Sequence, residues 1–256
     1  MSIPKEIKEL IERSGNNFHA KVSRWLVSEG WYVVVSPYYM DQTQAKAREI
    51  DLIAEKPWPV YDSFSQPVSN IAVRLFIECK FISSNAVFWF ADKDTKAAKE
   101  LVCSIWPFRD NNTYTDKHHY LSQSSRVAKL FTSSRTKAPE NDPFYKALNQ
   151  ALNGMVSLRG QAISMPKSTK NPKAILEFPV VVCNSFSSIY AANFDNEEEP
   201  VPITDNFQLE VRYAYIDRYQ NQCDDYFLLD FVEFDKLNKF MEAIAEDAKS
   251  AAYLAS

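Results

Sequence analysis

Two apolar segments of the chain carry acidic side chains and a lysine at spacings that suit metal-assisted chemistry. Glu49 and Asp51 lie in the string REIDLIA, and Glu78 and Lys80 lie in the string LFIECK. Both strings read as buried β-strands, whose successive side chains point to opposite faces. Glu49 and Asp51 are therefore predicted to share one face of the first strand. Glu78 and Lys80 are predicted to share one face of the second.

Charged groups inside apolar strands cost free energy unless they pair with each other or hold a metal ion. Carboxylate oxygens are the ligands that a hard divalent cation prefers. A phosphodiester resists attack because it is already anionic, so its hydrolysis needs a metal that polarises the phosphoryl oxygens and lowers the pKa of water. Two strands that bring Asp, Glu and Lys to one point therefore predict a site that cleaves phosphodiester bonds.

Composition narrows the class of protein. The chain has 256 residues and is 46% hydrophobic, enough for a full core. We expect a single domain over 1–256 with a basic insertion around 84–140. Four cysteines without CxxC spacing argue against zinc sites and disulfides, and four glycines leave no Gly-rich phosphate cradle.

The expected location is the cytoplasm, away from membranes. No apolar run in the sequence is long enough to span a bilayer. The first residues, MSIPKE, lack the layout of a signal peptide.

A net charge of −4 conceals an asymmetry along the chain. Residues 93–173 hold 14 basic and 6 acidic side chains, a net charge of +8. Residues 174–256 hold 5 basic and 16 acidic side chains, a net charge of −11. The basic middle permits a local surface that binds a polyanion. The alternative is a set of ordinary solvated faces.

Periodicity and turn residues predict the elements that must position the charged groups. In chain order they are a helix over 4–29, a strand over 31–35, a polar turn over 41–46, the Glu49/Asp51 strand, a Pro-rich loop over 57–70, a strand over 71–81, helices over 94–105 and 116–131, a helix over 145–158, strands over 174–183, 188–192, 209–216 and 226–232, and a helix over 234–254. No crossover helix separates the early strands, which favours antiparallel neighbours. We therefore predict an α/β fold with a mixed sheet, an αββαβ core with additions.

The motifs resemble those of a known superfamily. REIDLIAEK at 48–56, LFIECKF at 75–81 and EGWYVVVS at 29–36 resemble the PD-(D/E)XK nucleases, which have the restriction-endonuclease-like fold. The Mrr-like and Holliday-junction-resolvase-like branches look nearest. The resemblance covers residues 15–83, and 144–192 by the order of elements alone.

The resemblance implies a metal-dependent endonuclease that acts on DNA, in a restriction or defence setting. Asp51 and Glu78 would bind Mg²⁺, for which Mn²⁺ can substitute, together with the backbone carbonyl of Cys79. Lys80 would orient or activate the attacking water and offset charge on the phosphate. Glu49 would support the site or take part in a second metal position. A homodimer is compatible with cutting both strands of a duplex, since that needs two sites.

Two features depart from the pattern of these relatives. Their first helix often supplies a glutamate to the site, where this chain has His19 in NNFHAKV. His19 could contact metal-bound water or a phosphate, or lie on the helix surface without a role. The second departure is the Pro-rich connection over 57–70, which separates the two motif strands.

Other side chains are candidates for binding nucleic acid. Lys146 and Gln150 lie on the helix that follows the motif strands, and Arg126 lies in the basic middle. Lys146 and Gln150 read equally as polar residues on a helix face, whereas Arg126 reads more readily as part of a solvated patch. The pair His118–His119 could bind phosphate or assist catalysis, but a solvated patch is the favoured interpretation.

Three hypotheses remain open on the sequence alone. The first is the metal-dependent deoxyribonuclease. The second is a non-catalytic module of the same fold that binds nucleic acid or supports assembly. The third is an unrelated α/β protein, in which Asp51 and Glu78 would lie far apart.

Overall fold

The structure is a computed structural model that describes residues 4–13, 15–109, 112–134, 142–159 and 172–256. Within these ranges the chain is a mixed α/β protein with a ten-stranded mixed sheet, a separate two-stranded hairpin and helices. The helices are α1 (Lys5–Arg13), α2 (Asn16–Ser28), α3 (Thr95–Ser104), α4 (Thr113–Lys117), α5 (His119–Ser122), α6 (Pro143–Leu158) and α7 (Leu237–Leu254), and a 3₁₀ turn covers Phe234–Lys236. The strands are β1 (Tyr32–Val35), β2 (Tyr38–Asp41), β3 (Lys46–Glu49), β4 (Leu52–Tyr61), β5 (Pro67–Lys80), β6 (Ala86–Asp92), β7 (Arg126–Ser133), β8 (Ala174–Cys183), β9 (Ile189–Asn193), β10 (Val201–Pro202), β11 (Phe207–Ile216) and β12 (Gln222–Glu233).

The strand order of the large sheet is β1-β4-β5-β8-β12-β11-β7-β6-β9-β10. β1, β4 and β5 are antiparallel neighbours, whereas β8 runs parallel to β5 and β12 runs parallel to β8. The carboxyl ends of β5, β8 and β12 consequently meet at one edge of the sheet. β4 begins at this same edge, because it runs antiparallel to β5.

The two motif strands form one long hairpin. β4 and β5 pair from Leu52↔Ile77 outwards, so the loop predicted over 57–70 is wrong for most of its length. β1 covers β4 only over 52–55. Beyond residue 55, no described strand pairs with the outer edge of β4. Proline is therefore tolerated at positions 57 and 59, although it has no backbone N–H to donate to a neighbouring strand.

Helices cover both faces of the sheet near this hairpin. α2 and α7 pack on one face, where Phe18, Val22 and Leu26 are buried beside Ile77. α6 packs on the opposite face, where Phe76 is buried. Because side chains alternate along a strand, Glu78 and Lys80 follow Phe76 on the α6 face, as the sequence predicted.

Two predicted helices differ from the structure. The helix expected over 4–29 is interrupted at Gly15, which adopts a left-handed conformation with φ of 72° and separates α1 from α2. The helix expected over 116–131 is replaced by α4, α5 and the strand β7. His118 has extended backbone angles between the two short helices, which ends the first and starts the second.

The segment expected to be a basic insertion contributes to the large sheet. Its described part contains β6, α3, α4, α5 and β7, and β7 pairs with both β6 and β11. Residues 135–140 lie outside the described residues. In the ranges that are described, no helix combines the length and apolarity that crossing a membrane requires.

A row of buried charges crosses the α6 face of the motif strands. Glu55, Arg74 and Glu177 are paired in register on β4, β5 and β8. Arg74 Nε lies 3.0 Å from Glu55 Oε2 and Arg74 Nη1 lies 3.4 Å from Glu177 Oε1. Removing one member of a buried ionic group leaves the others without compensation, which is strongly destabilising.

We therefore predict that Arg74→Met lowers the free energy of unfolding by about 3–5 kcal/mol, because Glu55 loses its cation and Glu177 keeps only the half-exposed Arg159, whose Nε lies 3.5 Å away. Urea denaturation measures the change. Arg212→Met is the matched control, since the Arg212 side chain is 66% exposed, and we expect a change within about 0.5 kcal/mol. Equal effects of the two substitutions would show that the row does not stabilise the hairpin.

Candidate active site

The two predicted carboxylates meet where β4 begins and β5 ends. The β4–β5 ladder stops at Leu52↔Ile77. Beyond this pair, side-chain carboxylates accept the hydrogen bonds of the backbone N–H groups. The Asp51 N–H donates to Glu78 Oε1 at 3.2 Å, and the Cys79 N–H donates to Asp51 Oδ2 at 2.8 Å. The structure thus brings the two acidic residues into one constellation, as the convergence of the motif strands requires.

A break in the chain positions Asp51. β3 ends at Glu49 and β4 begins two residues after Ile50, so the single Glu49/Asp51 strand expected from the sequence is interrupted. The Ser36 N–H donates to the Asp51 carbonyl at 2.8 Å, and the Ile50 N–H donates to the Pro37 carbonyl at 3.2 Å. Ser36 has a φ of 52°, an uncommon value for a residue with a side chain. The β2–β3 hairpin leaves the sheet at this point.

Lys80 completes the constellation. Its Nζ lies 2.8 Å from Glu78 Oε2. The Glu78 side chain is fully buried, whereas that of Lys80 is 19% exposed, so the group opens towards solvent on the lysine side. Among the described residues, Asp51 Oδ1 has no hydrogen bond. The available oxygens of two carboxylates beside an ammonium group fit a hard divalent cation and an anionic ligand.

Burial and charge shift the proton affinities of this group. Burial raises the pKa of Glu78 to about 7, Lys80 opposes this rise, and the Asp51 carboxylate adds to it. Burial alone would lower the pKa of Lys80, but the carboxylates of Glu78 and Asp51 raise it above the ordinary value. The raised pKa brings protonation of Glu78 towards neutral pH. A bound cation would have to displace that proton.

Glu49 belongs to a neighbouring cluster. Hydrogen bonds from the Ser36 and Tyr38 hydroxyls lower the pKa of Glu49, and the nearby His19 acts in the same direction. His19 Nε2 is buried and has no hydrogen-bond partner within the part of the chain that the structure describes. Ser36 joins the two clusters, because its side chain binds Glu49 while its N–H binds the Asp51 carbonyl.

Gln150 lies next to the candidate site. Its Nε2 donates to the Glu49 carbonyl at 3.1 Å and so ties α6 to the break between β3 and β4. Lys146 is exposed one helical turn earlier on α6. These two residues lie on the side of the site that α6 covers.

Arg126 is not brought to the site. It begins β7, four strands away from β5 in the sheet order, which corresponds to about 19 Å. Its guanidinium donates to the Phe90 carbonyl at 2.7 Å and to Asn193 Oδ1 at 2.9 Å. These bonds give Arg126 a structural role at the far half of the sheet.

A second group of chemically capable side chains is buried near α5. His118 and His119 are 0% and 2% exposed, so the interpretation as a solvated patch is wrong. With Asp247 they form the one group of three metal-type side chains, within the described ranges, whose ligand atoms all lie within 4.8 Å of one another. Such a group could hold a metal ion.

The hydrogen bonds of this group favour protons over a metal. His119 Nδ1 lies 2.7 Å from Asp247 Oδ2, and His119 Nε2 lies 3.0 Å from Asp230 Oδ2. Burial opposes the charged imidazolium, but these carboxylates outweigh it and raise the pKa of His119 to about 9. His118 Nδ1 accepts the Tyr120 N–H at 3.2 Å, which places the proton of a neutral ring on Nε2, the atom that a metal would need. The group ties α5 to α7 and β12, and we refer to His118, His119, Asp230 and Asp247 as the clamp.

The sequence offered little to reveal this clamp. Asp230 and Asp247 lie 111 and 128 residues from His119, and neither spacing nor periodicity connects them. Only the adjacent histidines His118 and His119 could be recognised as candidates from the sequence. Their burial follows from tertiary packing, since His119 packs against the ring of Phe178.

Comparison of the chain with protein-family models, with curated proteins and with solved structures found no match. The chemistry of the site is therefore argued from its geometry.

We predict that Glu78→Gln removes part of the pH dependence of stability. A raised pKa means that Glu78 stabilises the fold below about pH 4.5 and that this contribution is lost as pH rises through about 7. The free energy of unfolding of the wild type should fall by about 2 kcal/mol between pH 5 and pH 8 through this group. Urea denaturation in EDTA measures it, with the exposed Glu242→Gln as control. An unchanged slope in Glu78→Gln would contradict the raised pKa.

The clamp gives a separate pH window. The contribution of His119 is fully present below about pH 6.5 and is lost as pH rises through about 9. The free energy of unfolding of the wild type should fall by about 3 kcal/mol between pH 6 and pH 10 through this group. The His119→Leu variant should not show this fall. His19→Gln, which changes a histidine outside the clamp, should keep it. If a chelator lowers the melting temperature of wild type but not of His119→Leu, the clamp holds a metal after all.

Proposed function

We propose that the chain is a metal-dependent nuclease that hydrolyses phosphodiester bonds of DNA. The observation that carries the proposal is the convergence of Asp51, Glu78 and Lys80 at one edge of the sheet, with Asp51 and Glu78 bonded to each other's strand. Asp51, Glu78 and the backbone carbonyl of Cys79 would hold Mg²⁺ or Mn²⁺. The restriction or defence setting and endonucleolytic action remain part of the proposal on the resemblance alone.

The topology supports the restriction-endonuclease-like interpretation. Helix α2 precedes the antiparallel strands β1, β4 and β5, then α6 follows, and β8 runs parallel to β5. Compared with the expected αββαβ core, the chain has one more antiparallel strand before α6, and the β2–β3 hairpin and residues 84–134 are further additions. The motif residues lie at the strand ends, where a substrate can approach.

The residues divide the chemistry among them. A divalent cation, when bound, would polarise the phosphoryl oxygens and lower the pKa of water. Asp51 and Glu78 would fix its position, because each carboxylate is already held by a backbone N–H of the other strand. Lys80 stays charged and would orient the attacking water and offset charge on the phosphate. Gln150 would stabilise the break that presents Asp51.

A non-catalytic module that binds nucleic acid is the second candidate. The Glu78–Lys80 pair is satisfied without a metal, at 2.8 Å, and such a pair could serve the fold alone. The two candidates differ in whether divalent cations bind with the help of Asp51 and whether DNA is cut.

The decisive assay incubates plasmid, linear and single-stranded DNA with Mg²⁺, Mn²⁺ or EDTA. We expect metal-dependent cleavage by wild type, and a loss of roughly 100-fold or more in Asp51→Asn and Lys80→Ala, since each removes several kcal/mol of transition-state stabilisation. Glu242→Gln, on the exposed face of α7, should cleave like wild type. Cleavage by no form of the protein, with Mn²⁺ binding unchanged in Asp51→Asn by calorimetry, would favour the non-catalytic module.

A further inference from the structure

We propose that the site takes unpaired nucleotides, whose bases stack on Tyr38 and Phe81 at either side of the carboxylates. This inference rests on the proposed function and names the substrate class of the same site. It concerns single strands, flaps or bases turned out of a duplex, rather than continuous duplex DNA.

The backbone around Phe81 is fixed by hydrogen bonds while its ring is exposed. Phe81 directly follows Lys80 and is 56% exposed. The backbone on both sides of it is held by Asn184, whose N–H donates to the Lys80 carbonyl at 3.1 Å and whose Oδ1 accepts the Ile82 N–H at 2.5 Å. A large aromatic ring that a fixed backbone presents to solvent forgoes the free energy of burial. Phe81 comes directly after Lys80 at the end of β5, so a ligand that reaches this end of the sheet would cover the ring.

Tyr38 is presented on the other side of the site. It is 70% exposed, although the next residue, Tyr39, is buried. The Tyr38 hydroxyl is hydrogen-bonded to the Glu49 carboxylate, which anchors one end of the ring. An aromatic ring that is anchored at its hydroxyl loses little further freedom when a planar group stacks on it.

The strand order places Tyr38 and Phe81 at the same end of the sheet. β1 and β5 flank β4, so the ends of β1 and β5 lie about 10 Å apart, with Asp51 between them. Tyr38 begins the β2–β3 hairpin three residues after the end of β1, and Phe81 directly follows the end of β5. Both residues therefore lie at the end of the sheet that carries Asp51, Glu78 and Lys80.

Two exposed aromatic rings near a charged centre match the chemistry of an unpaired strand. Such a strand alternates a negatively charged phosphate with a base whose π-face is open, and proteins bind it with cationic and aromatic groups in alternation. A continuous duplex presents only base edges in its grooves, because the faces are stacked on each other. Lys80 and a bound cation would receive the phosphate while the rings receive the bases on its two sides.

The test measures binding without cleavage. An oligodeoxynucleotide that contains 2-aminopurine, whose fluorescence changes on stacking, is titrated in Ca²⁺ as a single strand and as a blunt duplex. We expect tighter binding of the single strand and a fluorescence change. Phe81→Ala should weaken single-strand binding roughly tenfold or more, as expected for one stacked base, and Phe81→Trp should retain it. Tyr38→Phe should retain more affinity than Tyr38→Ala.

Phe64→Ala is the matched control. Phe64 is 82% exposed in the turn at the far end of β4, about 30 Å from the site by strand length, and its replacement should leave binding unchanged. Equal affinity of wild type for single strand and duplex, or equal effects of Phe81→Ala and Phe64→Ala, would overturn the proposal. Phe81-dependent binding without cleavage would leave the stacking intact and refute the nuclease. Cleavage at an equal rate by wild type and Phe81→Ala would support the nuclease and refute the stacking.

Discussion

The separation of β4 from β5 at Asp51 is the constraint on which the candidate site depends. Where the backbone ladder ends, Asp51 and Glu78 accept or supply the hydrogen bonds that the two strands would otherwise share. Two carboxylates are thereby held side by side without a regular strand pairing. Lys80, Ser36 and Gln150 each stabilise one side of this arrangement.

The surrounding fold stabilises the end of the sheet at which the candidate site lies. The buried row Glu55–Arg74–Glu177 and the helices on both faces hold the β4–β5–β8 unit rigid a few residues away. The clamp around His119 fastens α5 to α7 and β12, independently of the site. The site itself keeps its unfavourable feature, a fully buried Glu78 whose pKa is raised. A raised pKa of this kind is common at functional positions.

Much of this could be predicted from local pattern. Alternating apolar residues placed Glu78 and Lys80 on one face, and their adjacency to Asp51 followed from two consecutive strands. Features set by single backbone conformations or distant contacts could not be predicted. Pro57 and Pro59 are typical of a loop, although they lie in β4 beyond the residues that pair with β1. Gly15 interrupts an otherwise helical pattern. The partners of His119 are more than 100 residues away, and no local signal points to them.

The most direct test of the account is the position of Mn²⁺ in crystals grown with the ion. The account predicts an anomalous peak about 2.1 Å from carboxylate oxygens of both Asp51 and Glu78, lost in Asp51→Asn crystals. The absence of a peak between these two residues, or a peak confined to His119 and Asp247, would contradict the assignment of the site.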